Sequence, residues 1–384
     1  MIKIIKNVEV YSPEFLGIND ILIVNEKIIK ISKDIKLNGV EYEEIDCTGK
    51  KAVPGYIDQH VHITGGGGEG SFKTRVPEAP LSKFIESGIT TVVGLLGTDG
   101  TTRSVENLLA KAKGLNEEGI TAYILTGAYE YPSPTLTGNI RKDITFIKEV
   151  IGVKIAISDH RAVHIDESIL ENLAAEVRNG GMFSGKSGIV TLHMGDGKKN
   201  LDQVINVVNN TNIPIKHFIP THVNRKKEVF ESAIKFLKMG GVIDFTTSIP
   251  EDDYISSSKG VNVIKEMGLP LDRITFSSDG FGSWSDYDER GNLIKIGYSS
   301  LLSNHNEIKK LIINYKFSLS EAIQFLTINP AKELFIYPDK GAILEGSDAD
   351  ILLLDDDYDI CDVFARGKLM MKNKKIIVKG TYEE

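Results

Sequence analysis

Residues 52–62 read Ala52-Val53-Pro54-Gly55-Tyr56-Ile57-Asp58-Gln59-His60-Val61-His62. This is an apolar run that ends in two histidines one residue apart. Side chains two apart on a strand point to the same side. Both imidazoles therefore reach one metal ion, and neutral imidazole is a good zinc ligand. A single His-x-His is a weak signal, because polar residues at a strand end are ordinary. Its weight comes from the rest of the chain.

Strand-like apolar runs recur near residues 53–58, 89–95, 120–126, 151–157, 188–193, 216–222, 241–247 and 273–278. Stretches of helical period lie between most of them, at 104–117, 167–178 and 226–239. Eight such β–α units predict an α/β chain folded as a (β/α)8 TIM-like barrel. A doubly wound open sheet is the competing fold, and it would need a ligand crevice at a switch point. Residues 1–52 and 344–384 differ from the middle, with short mixed runs joined by tight turns. They predict a small β-sandwich domain built from both termini, with residues 53–343 forming the barrel.

In barrels the working residues project from the C-terminal strand ends. The first strand ends in His60 and His62, and the third runs into Tyr129. The fourth carries Lys154 inside an apolar stretch, the fifth ends in His193, the sixth in His222 and the eighth in Asp279. Burying a charged lysine is costly, and burial lowers its pKa. A neutral amine beside metal ions captures carbon dioxide as a carbamate, which acts as a bridging carboxylate. Four histidines, an aspartate and that bridge are ligands enough for two divalent ions, most naturally zinc. His160, His164, His217 and His305 fall outside the strand-end set and are expected on the surface or behind the ligands.

Composition narrows the function. The net charge of −8 gives a nucleic-acid partner no electrostatic support. Two cysteines argue against a disulfide framework, and Cys47 and Cys361 are expected to be inert thiols. No apolar run approaches membrane-spanning length, and the apolar part of residues 1–6 is too short for a signal peptide. The expected location is the cytoplasm, with no membrane partner.

With these residues in place the chain resembles the amidohydrolase superfamily. The likeness narrows to isoaspartyl (β-aspartyl) dipeptidases in the segments around His60 and His62, Gly65-Gly66-Gly67-Gly68-Glu69, Val93-Gly94-Leu95-Leu96-Gly97-Thr98-Asp99, Leu125-Thr126-Gly127-Ala128-Tyr129, Ile157-Ser158-Asp159-His160-Arg161, Pro220-Thr221-His222-Val223-Asn224-Arg225 and Ser277-Ser278-Asp279-Gly280-Phe281-Gly282-Ser283. It spans almost the whole chain. The resemblance implies a binuclear zinc metallopeptidase that hydrolyses β-aspartyl dipeptides by attack of a metal-bridging hydroxide on the side-chain-linked amide. His60, His62 and Asp279 would hold one ion and His193 and His222 the other, with carbamylated Lys154 bridging. Asp279 would carry the proton and Tyr129 would donate to the oxyanion. It also implies a homo-oligomer, an octamer among the sizes.

Charge assigns the recognition residues. A β-aspartyl dipeptide carries one free amine and two carboxylates, so its site should offer one anion and two cations. Glu69, after a glycine run that predicts a mobile loop, can meet the amine. Arg161 and Arg225 can pair with the carboxylates, and Ser283 and Thr98 can add hydrogen bonds. Residues 284–290 are where divergence and substrate preference are expected. The alternatives are a dihydroorotase-like or hydantoinase-like enzyme acting on a cyclic or acyl amide, and a metal-free scaffold. An intact ligand set argues against the scaffold.

Overall fold

The computed structural model describes residues 1–249, 254–290 and 292–384. Nine strands at the two ends of the chain are hydrogen-bonded into one sheet. They are β1 (Ile2–Tyr11), β2 (Phe15–Val24), β3 (Lys27–Ser32), β4 (Glu43–Asp46) and β5 (Lys51–Pro54) from the first part of the chain. After the barrel come β16 (Ile351–Leu354), β17 (Ile360–Ala365), β18 (Lys368–Lys372) and β19 (Lys375–Ile376). The order is β19-β18-β17-β16-β5-β1-β2-β3, with β4 parallel to β1. Strand period sorts the faces. Ile351 and Leu353 pack with Ile5, Val8 and Ile23. Leu352 and Leu354, pointing the other way, join the barrel's core with Tyr56 and Phe84.

The barrel strands are β6 (Tyr56–Val61), β7 (Ile89–Gly94), β8 (Thr121–Gly127), β9 (Val150–Ile157), β10 (Ile189–Met194), β11 (Phe218–Thr221), β12 (Ile243–Thr246) and β13 (Ile274–Ser277). The eight predicted runs therefore coincide with eight strands. They read as near-continuous apolar runs because a parallel sheet wrapped by helices is buried on both faces. β6 to β11 form one parallel sheet, and β12 and β13 form a parallel pair. Two links close the ring and exclude an open sheet. The Val223 amide donates to Asp244 O at 3.4 Å. Val61 bridges in parallel to Gly280, and the His62 amide donates to Gly280 O at 2.9 Å.

Where backbone pairing is sparse, side chains complete the closure. Buried Asp244 on β12 accepts from Gln59 on β6 at 2.8 Å, Thr275 on β13 at 2.7 Å and Thr221 on β11 at 2.7 Å. Asp58 on β6 accepts from the Ser278 amide at 3.2 Å and from Asn304 at 2.8 Å. Burial pushes the Asp58 pKa up to about 7, against its hydrogen bonds.

Two of the helices between the strands begin and end at clear caps. Ser104 accepts from the Asn107 amide to open the helix Val105–Glu118, which stops at left-handed Gly119. Asp166 and Gly185 do the same for Glu167–Ser184. After β13 the chain makes a hairpin, β14 (Ser283–Tyr287) and β15 (Leu293–Tyr298). The 284–290 stretch thus begins as a paired strand and ends in the hairpin turn. Among the described residues no helix is long and apolar enough to cross a membrane.

Candidate active site

The C-terminal ends of β6, β9, β10, β11 and β13 converge. His60 and His62 leave β6 on one side of the strand. His60 Nε2 lies 2.9 Å from Lys154 Nζ and 3.4 Å from Asp279 Oδ1, and His62 Nε2 lies 3.1 Å from the same oxygen. The His222 ring sits 5.0 Å from His60 and 4.6 Å from His193, centre to centre. All six residues proposed from strand ends as metal ligands are therefore neighbours.

Burial sets their protonation. Lys154 has no exposed surface, and burial pushes its pKa down to about 7. Burial also holds His60, His193 and His222 well below the usual imidazole range, keeping them neutral and able to ligate. Tyr129 is pushed up by burial and stays a hydroxyl donor. Its OH lies 2.6 Å from His193 Nδ1.

The donor set fits a divalent ion. His60 Nδ1, His62 Nδ1 and Asp279 Oδ1 are buried without a hydrogen-bond partner, a costly state for polar atoms. His60, His62 and Asp279 offer atoms within 4.8 Å of one another. His222 spends Nδ1 on Thr246 Oγ1 at 2.7 Å, which fixes its ring. His222 and Asp279 have φ of +62° and +53°, in the left-handed region that Asp and His enter more readily than most residues. Gly97 is required by close approach, since a Cβ there would meet His62 Cε1 at 2.6 Å.

The residues expected to recognise substrate are each held by protein partners. Glu69 Oε1 accepts from Ser283 Oγ at 2.8 Å and from Thr98 Oγ1 at 3.4 Å. Thr98 and Ser283 thus turn to Glu69. Glu69 Oε2 is buried and unpartnered. The glycine loop ahead of it is packed against the protein. Gly65, Gly66 and Gly67 are buried, and Arg103 clamps the loop through Gly66 O at 2.9 Å. Arg225 donates to Met194 O at 2.8 Å and lies 3.3 Å from His193 Nε2. Arg161 stands over the Tyr129 ring at 5.6 Å.

Sequence reasoning missed Asp159. It accepts the Nε and Nη2 edge of Arg161 at 3.0 and 2.8 Å and lies 2.9 Å from His193 Nε2. Burial works to raise its pKa, but the hydrogen bonds from His193 and Arg161 hold it well below the usual carboxylate range. The signal available was its place between β9 and Arg161 in Ser158-Asp159-His160-Arg161. Two of the four histidines set outside the ligand group are also not at the surface. His217 is buried with Nδ1 on Gly188 O at 2.7 Å, and His305 is buried against the Tyr56 hydroxyl at 3.1 Å. His164 is exposed, and the His160 side chain is largely so.

A closed parallel barrel with this donor set at its strand ends defines a class, and residues 52–381 match the amidohydrolase family, to which the chain belongs. It is similar to the β-aspartyl dipeptidase of thermophilic, keratin-degrading Fervidobacterium islandicum AW-1, whose structure holds the β-Asp-Leu dipeptide. That chain is 42% identical, with 98% of each chain covered and a TM-score of 0.92. The dihydropyrimidinase of Brevibacillus agri NCHU1002 shares the fold at 18% identity, over 99% of this chain and 97% of that one, with a TM-score of 0.69. The adenine deaminase of Bacillus pumilus (strain SAFR-032) is 24% identical over 97% of this chain. The chain spans only 58% of that protein's length.

Proposed function

We propose that this chain is a binuclear metallohydrolase that cleaves β-aspartyl (isoaspartyl) dipeptides. The observation that carries the reading is Glu69 Oε2, a buried carboxylate oxygen with no hydrogen-bond partner. An unpaired buried anion is costly and calls for a cation. A free α-ammonium supplies one. The similarity to the Fervidobacterium enzyme supports the same substrate class.

His60, His62 and Asp279 would hold one ion, His193 and His222 the other, and carbamylated Lys154 would join them, with zinc the metal. Bound there, the ions would lower the pKa of a water and polarise the scissile carbonyl. The depressed Lys154 pKa keeps a neutral fraction of amine, the form that adds to carbon dioxide. Asp279 accepts the water's proton and returns it to the leaving amine. Tyr129, kept protonated by burial, donates to the developing oxyanion. Glu69 takes the α-ammonium, steadied by Ser283 and Thr98. Arg225 and the Nη1 side of Arg161, left over by Asp159, take the two carboxylates. Cys47 and Cys361 form no disulfide, in keeping with a reducing compartment, and the cytoplasm is the proposed location. A homo-oligomer is the proposed assembly.

The test measures kcat/KM for β-Asp-Leu, α-Asp-Leu and N-acetyl-β-Asp-Leu, with metal content by elemental analysis. The α-linked isomer displaces the scissile carbonyl from the anchors, and a misplacement of about 1 Å costs roughly a hundredfold. Equal rates on the two isomers would leave only a generic amidohydrolase. Full activity after exhaustive chelation would remove the metal mechanism.

A further inference from the structure

The segment that carries Glu69 is the least regular part of the site. It leaves β6 through four glycines, and Gly65, Gly67 and Gly68 have φ of +76°, +83° and +111°. Such a backbone has much freedom to lose, so something must hold it. The holding group is Arg103, whose side chain is 4% exposed. Its Nη2 donates to Gly66 O at 2.9 Å and to Val76 O at 3.0 Å, and its Nε donates to Thr64 O at 3.2 Å. Its Nη1 donates to Asp99 Oδ2 at 3.1 Å. Asp99 also accepts the backbone amides of Thr101 and Thr102, and it follows Thr98, which donates to Glu69.

One guanidinium therefore ties the start of the glycine loop, the chain that returns from it, and the segment that carries Thr98. Three carbonyls and a carboxylate suit a planar fork of five donors, and a compact ammonium cannot span them. The fastening bears on Glu69 from two sides, through its own loop and through one of its two hydroxyl partners.

We infer that Arg103 is a positioning residue that sets Glu69 for the substrate's free α-amine, acting through the glycine loop and Asp99. It touches no reacting group. The inference rests on the amine-reading role of Glu69 proposed above.

The test compares β-Asp-Leu with N-acetyl-β-Asp-Leu for the wild type, Glu69→Gln, Arg103→Met, Arg103→Ala and Arg103→Lys, each metal-loaded and checked for metal content and Tm. The Arg103 variants should lower kcat/KM for the free-amine substrate by about tenfold to a hundredfold, the scale of a small misplacement, while changing the acetylated substrate by no more than about twofold. Most of the loss should fall on KM. Arg103→Lys should recover little, and millimolar guanidinium should partly restore amine preference to Arg103→Ala. Should Arg103→Met fail to fold, Arg103→Lys and Asp99→Asn carry the same comparison. Variants that slow both substrates by one factor would reduce Arg103 to a structural part and overturn the inference. Loss of preference in Glu69→Gln but not in the Arg103 variants would overturn it alone. A preference that survives Glu69→Gln would remove the amine-reading role, and Arg103's with it.

Discussion

The proposed metal cluster and the proposed recognition shell are built in different ways. The cluster stands at strand ends, its four histidines and Lys154 buried, and leaves His60 Nδ1 and His62 Nδ1 without a hydrogen-bond partner. The shell stands on loops, and nearly every member already has a partner in the protein. Asp159 holds Arg161, Met194 O holds Arg225, and Ser283 and Thr98 hold Glu69. Strand ladders fix the backbone of the cluster, and Thr246 and Asp159 then orient His222 and His193. Loops lack such a ladder, so recognition residues are held by pairing, and Glu69 Oε2 is the oxygen left over.

If that division holds, damage to the cluster should abolish chemistry and metal together, whereas damage to the shell should spare the metal. Lys154→Ala should lose most bound metal and lower activity by about a thousandfold or more, the scale on which a principal electrostatic group acts. A short carboxylic acid in solution should restore part of it, and Lys154→Arg should not help. An active, metal-loaded Lys154→Arg enzyme would break the comparison at its centre.

Arg161→Met and Arg225→Met should lower kcat/KM for β-Asp-Leu by tens to thousands of fold, following the roughly 2–5 kcal/mol that removing a buried charge partner costs. Elemental analysis should find their metal unchanged. Metal loss in Arg225→Met would move that residue into the cluster, a sharper boundary than the contact to His193 alone draws.

His305 tests whether a buried histidine outside the cluster matters for stability only. Burial pushes its pKa from 6.5 down to about 4. The unfolded chain then binds more protons than the folded one between those values, so its contribution is present above pH 6.5 and is lost as pH falls toward 4. The shift corresponds to about 3 kcal/mol. Urea titrations should show an acid slope smaller by this amount in His305→Gln than in the wild type, with metal content equal at neutral pH. The smallest effect is expected at Trp284 on the hairpin, where Lys295 stands 4.9 Å from the ring. Trp284→Ala should cost about 0.5–1 kcal/mol in the same titration, the usual worth of an exposed cation–π pair.

The strand-end residues were legible in the sequence because period and barrel geometry together force them to one face. Apolar runs near 89–95 and 273–278 became β7 and β13 for the same reason. The closure through Asp244 was not legible, since it joins residues from four strands that no local pattern relates. Asp159 was quoted within a motif but carried no role, because its two partners are found only in three dimensions. The glycine run pointed to mobility on composition alone. Arg103, far along the chain from that run, bonds to the loop's carbonyls, and an isolated arginine before a helix has nothing to distinguish it. His217 and His305 show the converse limit, since two polar residues with no strand-end signal proved to be buried.

The single sheet drawn from both ends has a consequence for how the chain is made. β5 lies between β1 and β16, with Pro54 opposite Ile351, so the whole barrel is inserted between two neighbouring strands. During synthesis the early strands emerge long before their partner exists, and an unpaired edge is a template for wrong pairing. Closing so long a loop adds only modest entropy, because that cost grows slowly with length. The delay is kinetic, since pairings between distant residues form late. Maturation should therefore end with β16 docking beside β5, and a chain arrested before residue 351 would expose the seam on which the two ends meet.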